Sequence, residues 1–322
     1  MSALPPFLEP LGHGVHAVDT GFHRERFDAA YLIVERGRAA FVDTGTNAAL
    51  PRLLGALDAL GLTRDAVDWV IPTHVHLDHA GGAGALMREL PRATMVVHPR
   101  GARHMIDPSA LYAGALAVYG QAEMDRSYGR LVPVPAERVR SSDDGFAVEL
   151  AGRPLRFADT PGHARHHHCV WDEATRGWFT GDTFGLSYRE FDVEARPWVL
   201  PTSTPVQFEP DLLERSVQRL LDADPACVYL THYGRLDEVP ARAAQGLALL
   251  RETVAVGRRH RDAADRHARL TSDLAALYRD SLRAHGCTMD EARIAELLAL
   301  DVELNAQGIG VWLDRERRQD AA

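Results

Sequence analysis

Lysine is absent from this 322-residue chain, and all 36 basic side chains are arginine. An arginine-only set matches GC-rich codon usage, and it excludes Schiff-base catalysis and any lysine clamp on a substrate. Cysteine is nearly as scarce. Cys169, Cys227 and Cys287 are odd in number and far apart, which fits reduced thiols and not a disulfide framework. No apolar run approaches the ~20 residues of a membrane span. The opening MSALPPFLEPLGHG has neither the basic stretch nor the sustained apolar stretch of a secretory leader, so a cytoplasmic protein with no membrane partner is expected. A net charge of −9 gives polyanions little attraction, and nucleic acid is not an expected partner. With 46% hydrophobic residues the chain can bury a full core, and its length admits two domains.

Histidine is concentrated where the rest of the chain is sparing. The decapeptide Thr73 to Gly82, THVHLDHAGG, sets three histidines and an aspartate in six positions behind the apolar run Val67 to Pro72. That run reads as a strand, and Ala83 to Leu90 reads as a short helix, so the motif lies on a strand-to-helix turn. Side chains of an extended segment alternate, so His74 and His76 point to one side and can reach one cation. Asp78 and His79 fall where the chain bends and can face a second. Gly81 and Gly82 allow a tight turn and close backbone approach. Imidazole and carboxylate suit zinc or iron, and no thiolate lies nearby to suggest a structural cysteine site.

These residues resemble the signature of the metallo-β-lactamase-fold superfamily, in its lactonase and glyoxalase II-like branch. The resemblance extends in order over roughly residues 12–235: Asp43 ends a strand, His163 lies in TPGHARHHH, Asp182 in GDT, and His232 follows Cys227 to Thr231. It implies a four-layer αββα sandwich. It implies that His74, His76 and His163 bind one divalent metal and Asp78, His79 and His232 a second, with Asp182 bridging. Zinc is the first expectation, with iron or a mixed iron–zinc pair as the alternatives. Two metals about 3.5–4 Å apart can hold a bridging hydroxide and polarise the carbonyl it attacks, and Asp78 can orient that nucleophile or shuttle its proton. Asp43 either supports a ligand from behind or simply caps its turn. His167, four residues after His163, fits a supporting hydrogen bond, while His166, His168, His98 and His104 read as packing or surface residues.

Two β-rich halves precede a helical tail, giving a catalytic domain over 1–239 and a C-terminal helical region over 240–322. The strands of the first half include Tyr31 to Glu35 and Ala39 to Asp43; those of the second include Pro154 to Asp159, His167 to Trp171 and Gly177 to Thr180. Residues 101–140 read as a helical insertion near the pocket mouth. Residues 184–210, with four prolines, read as a pocket loop in which Tyr188 is the first choice for a polar substrate contact. Lactonases of the superfamily often carry a tyrosine three residues after the bridging aspartate; here that position is Gly185. Glyoxalase II enzymes commonly hold glutathione with basic residues including lysine, which this chain lacks.

The reading is a dinuclear hydrolase of a small carboxylic ester, lactone or thioester. A persulfide dioxygenase-like iron oxidoreductase and a phosphodiesterase are its alternatives, and a homodimer is left open.

Overall fold

The computed structural model describes residues 4–203 and 205–320, and these group into two compact units. The first comprises the described part of Met1–Asp159 together with His166–Gly181 and Asp224–Asp237. The second comprises Thr160–Arg165, Asp182–Ala223 and the described part of Glu238–Ala322. The chain crosses between the units several times, so neither is a continuous stretch of sequence.

The first unit holds two sheets. One has seven strands in chain order: β1 (Leu8–Gly12), β2 (Val15–Asp19), β3 (Ala29–Glu35), β4 (Arg38–Val42), β5 (Val67–Ile71), β6 (Thr94–Val97) and β7 (Val139–Ser141). It is antiparallel as far as β4 and parallel beyond it. Between these strands run α1 (Leu50–Ala59), α2 (Leu77–Ala80), α3 (Ala83–Glu89), α4 (Pro99–Ile106) and α5 (Ser109–Glu123), the last continued by a π-turn over Met124–Tyr128. The second sheet has the order β13-β12-β11-β10-β9-β8, formed by β8 (Ala147–Leu150), β9 (Arg153–Asp159), β10 (His168–Asp172), β11 (Gly177–Gly181), β12 (Cys227–Leu230) and β13 (Gly234–Leu236).

Strand alternation makes two cores from one sheet. Ala30, Leu32 and Phe41 face α1 and α3, where they pack with Leu53, Leu57, Leu86 and Met87. The intervening Tyr31, Ile33 and Val42 face the other sheet and pack with Phe157, Val170, Phe179 and Tyr229. Strands buried on both faces must be apolar at every position, which is why β3 and β4 read as unbroken hydrophobic runs.

The second unit contains α6 (Pro210–Leu221), α7 (Val239–Arg259), α8 (Arg266–His285) and α9 (Glu291–Asp320). A Cβ on Gly257 would come within 2.6 Å of the Ile309 side chain, so the glycine makes room on α7 for side chains of α9. The basic run Arg258-Arg259-His260-Arg261 falls at the C-terminal end of α7, where the helix dipole favours positive charge. The 184–210 segment is irregular but anchored. Gln245 exchanges two hydrogen bonds with the Val199 backbone (2.8 and 2.9 Å), and Asn305 accepts from the Ser203 N–H at 2.7 Å and donates to the Pro201 carbonyl at 3.2 Å. Among the described residues no helix is long and apolar enough to cross a membrane.

Candidate metal centre

The THVHLDHAGG turn follows the C-terminal end of β5, beside the turn after β4. Two backbone contacts hold it there: Thr44 N–H donates to the His79 carbonyl (2.8 Å) and Gly82 N–H to the Gly45 carbonyl (2.8 Å). A Cβ on Gly82 would lie 2.6 Å from the Thr46 carbonyl oxygen, so only glycine permits this approach.

Asp43 is the organising residue. It sits in the left-handed region (φ 56°) and is 1% exposed. Its carboxylate accepts from the Thr73 N–H at 2.7 Å, the Thr73 hydroxyl at 3.0 Å, the Thr231 hydroxyl at 2.7 Å and His79 Nδ1 at 2.9 Å. The ends of β4, β5 and β12 are thereby tied to one carboxylate.

Hydrogen-bond partners assign a tautomer to His79, His232 and His74. His79 Nδ1 carries the proton it gives to Asp43, which directs Nε2 toward the Asp78 carboxylate, 3.7 Å away. His232 Nδ1 donates to the Phe27 carbonyl at 3.1 Å, and its Nε2 lies 3.3 Å from the same Asp78 oxygen. The Thr73 hydroxyl spends its hydrogen on Asp43 and so accepts from His74 Nδ1 at 3.2 Å. His74 Nε2 then meets His76 Nδ1 at 2.8 Å. Asp78, His79 and His232 bring one ligand atom each to within 4.8 Å of one another. Imidazoles fixed in the Nδ1–H tautomer, with unprotonated Nε2 atoms converging on a carboxylate, are the donor set a divalent cation requires.

The first unit therefore brings together His74, His76, Asp78, His79 and His232. His163 and Asp182 belong to the second unit, where His163 Nε2 is 3.3 Å from the Asp182 carboxylate. The design repeats there. The Thr202 hydroxyl donates to the Asp182 carbonyl (3.2 Å) and accepts from His163 Nδ1 (3.0 Å), again presenting Nε2. Gly162, which precedes His163, lies so close to α6 that a Cβ would come within 2.2 Å of the Leu213 nitrogen.

His167 is fully buried and stacks on the His74 ring at 4.7 Å. His166 meets the His76 ring edge-on at 5.3 Å. His98 pairs with Asp159 (3.1 Å) and caps α4, while His168 exchanges a 2.7 Å hydrogen bond with Ser142. Tyr188, read from the sequence as a polar substrate contact, is 1% exposed and its hydroxyl donates to Asp301 at 3.0 Å. The ring is buried within the second unit.

Three threonines escaped the sequence reading: Thr73, Thr231 and Thr202. Two of them immediately precede a candidate ligand, in Thr73-His74 and Thr231-His232, and that repeated Thr-His pair was the available signal. Asp28 was also missed. It accepts from the Thr20 hydroxyl at 3.1 Å, and complete burial pushes its carboxyl up to about 8, although nearby His232 and His79 pull the other way.

A family model described as "Metallo-beta-lactamase superfamily" matches residues 23–232. The beta-lactamase-like protein 2 homolog of Caenorhabditis elegans is 26% identical over 152 residues, which cover 47% of this chain and 42% of that protein. The metallo-beta-lactamase fold-containing protein ST1585 of Sulfurisphaera tokodaii is 26% identical over 179 residues, covering 53% of this chain and 62% of that one. The chain thus spans only about half the length of these two curated relatives. The acyl-coenzyme A thioesterase MBLAC2 of Bos taurus is 27% identical over 207 residues, covering 56% and 68%. The crystal structure of ST1585 superposes with a TM-score of 0.65 at 20% identity, covering 92% of this chain and 98% of that one, a likeness of fold.

Proposed function

The chain belongs to the metallo-beta-lactamase superfamily, and on that footing we propose that it is a metal-dependent hydrolase of a carboxylic ester or thioester. The observation that carries the reading is the Asp78–His79–His232 cluster, in which both imidazoles turn a lone pair toward one carboxylate. We infer a dinuclear site: His74, His76 and His163 for one metal, Asp78, His79 and His232 for the other, and Asp182 between them. Zinc suits this nitrogen and oxygen donor set best.

When bound, such a pair supplies a water of lowered pKa and a Lewis acid for the scissile carbonyl. The chain's own residues do the rest. Asp78 has a side chain 24% exposed, against 0% for His79 and 7% for His232, so it is the member of that cluster a substrate can reach. Asp78 would orient the nucleophilic water or take its proton. Asp43 keeps the His79 ring in register through Nδ1, and the Phe27 carbonyl does the same for His232. Thioesters come first among substrates because a thioesterase stands among the relatives. Net charge −9 disfavours nucleic acid as substrate.

The test is hydrolysis by metal-loaded protein across thioesters, lactones, aryl esters and phosphodiesters, with metal content measured by mass spectrometry. Two divalent ions per chain and thioester or ester turnover, lost in Asp78→Ala, are expected. One iron per chain with oxygen consumption on a persulfide would sink the proposal.

A further inference from the structure

Within the second unit a cleft of about 220 Å³ is lined by the start of α6 and the C-terminal turns of α9. Arg165, Arg215 and Arg315 line it together with Trp312. Its floor is the segment that carries His163. Glu209 N–H donates to the Gly162 carbonyl at 2.7 Å, the Ser216 hydroxyl to the Pro161 carbonyl at 2.6 Å, and Arg165 N–H to the Gln207 side chain at 2.7 Å.

The three guanidiniums are not equivalent. Arg165 pairs with Glu209 at 2.8 Å. Arg215 and Arg315 enter no ion pair among the described residues, and Arg315 donates to a backbone carbonyl, that of Phe208. Burial holds the Arg315 guanidinium below its ordinary value; Glu209 pulls it back up, while Arg165 and Arg318 push it further down. Glu209, the carboxylate that favours its charge, is already committed to Arg165. Asp211 and Glu316 also line the cleft without pairing to Arg215 or Arg315. Four arginines thus face three carboxylates, a local positive excess in a chain of net charge −9. The first turn of α6 adds donors, since its N-cap Glu209 makes no side-chain bond and a helix start leaves its first N–H groups without intrahelical acceptors.

We propose that this cleft binds the phosphate group of a small phosphorylated molecule, held by Arg215, Arg315 and the first turn of α6. A phosphate offers three oxygens to these three donor groups, whereas a carboxylate offers two. One water takes up about 30 Å³ of liquid, so a bare phosphate leaves much of the cleft unfilled, and the organic part of an ester occupies the remainder beside Trp312. The site is independent of the ester or thioester reading, because none of these residues is a candidate metal ligand.

Calorimetric titration of metal-loaded protein with phenylphosphonate, inorganic phosphate and benzoate tests it, at about pH 8, where the second phosphate proton is lost. Phenylphosphonate stands for a phosphomonoester that no hydrolase can cleave. The titrations are repeated on Arg315→Gln and on Arg215→Gln, an exposed position whose loss spares the Phe208 contact, with circular dichroism to verify folding. Phenylphosphonate is expected to bind at least about tenfold more tightly than benzoate, and each variant to weaken it by about tenfold or more. Phosphonate binding that both variants leave intact lies elsewhere, at the metal ions for instance, and overturns the site. Equal affinity for phenylphosphonate and benzoate, or no saturation below about 10 mM, overturns it too. Inorganic phosphate that binds as tightly as phenylphosphonate, and is lost in both variants, upholds the site and makes free phosphate its occupant.

Discussion

Asp43 Oδ2 lies 2.9 Å from His79 Nδ1, and both side chains are essentially inaccessible to water. The pair fixes the ring from behind: the carboxylate takes the Nδ1 proton, which leaves the lone pair on the Nε2 that faces Asp78. Supporting partners of this kind typically govern metal affinity by 10–100-fold, by rough analogy with other centres. Asp43→Ala should therefore weaken zinc binding by about that factor. Competition with a chelating dye measures it, and unchanged affinity would reduce Asp43 to a turn residue.

Gly181 precedes Asp182 at a left-handed φ of 49°, and a Cβ there would lie 2.5 Å from the Thr73 hydroxyl and 2.8 Å from His167 Nε2. Gly181→Ala should lower stability by about 1–3 kcal/mol, read from urea midpoints, through overpacking and backbone strain. A variant as stable as the parent would mean that Thr73 and His167 yield without cost.

The Arg153 Nε donates to Asp172 at 2.7 Å in a pair with 3% and 0% of its side chains exposed. Asp172 also accepts from the Thr175 hydroxyl at 2.7 Å, closing the β10–β11 turn. Asp172→Ala leaves the buried guanidinium with only the His13 carbonyl at 2.6 Å and the Glu35 carboxylate at 3.7 Å, and should cost up to about 3–5 kcal/mol in denaturant unfolding. A loss below about 1 kcal/mol, the range of an exposed pair, would show that water replaces the carboxylate.

Burial pushes the His168 imidazole down to about 3. The unfolded chain takes up a proton near the ordinary value of about 6.5, which the folded chain refuses until about 3. His168 therefore contributes its full stabilisation above about pH 6.5, and that contribution is lost as the pH falls from there toward 3. His168→Gln should flatten the fall in stability between pH 6.5 and 4.5 by up to about 1.4 kcal/mol per pH unit. Parallel profiles for the two proteins would place the acid sensitivity elsewhere.

Legibility in the sequence followed burial. β3, β4, β10 and β11 announce themselves because neighbours fill the space around them, while β9 shows itself by alternation, burying Leu155 and Phe157 and exposing Arg156. β1, β7 and β13 do not: β1 contains Pro10 and is largely exposed, and the other two are three-residue strands at sheet edges. α6 was overlooked because Pro210 reads as the end of a loop, whereas it opens the helix, a position that needs no N–H donor. α9 runs to Asp320 although the apolar stripe of its sequence breaks after Val302, since Asn305 and Gly308 interrupt the pattern and are themselves buried. At the centre the ligand types were readable from a few local motifs. Their orientation was not, because it depends on partners as remote as Thr231 from Asp43, 188 positions apart.

Among the described residues, the bonds that converge on the Asp43 carboxylate come from Thr73, His79 and Thr231. None involves the 101–140 insertion, the 184–210 loop or the helical tail. The Asp43 cradle is therefore separable under mutation from the 101–140 insertion: lineages can exchange residues on α5 while the His79 donor keeps its geometry. Selectivity can drift while that part of the reactive centre stays fixed.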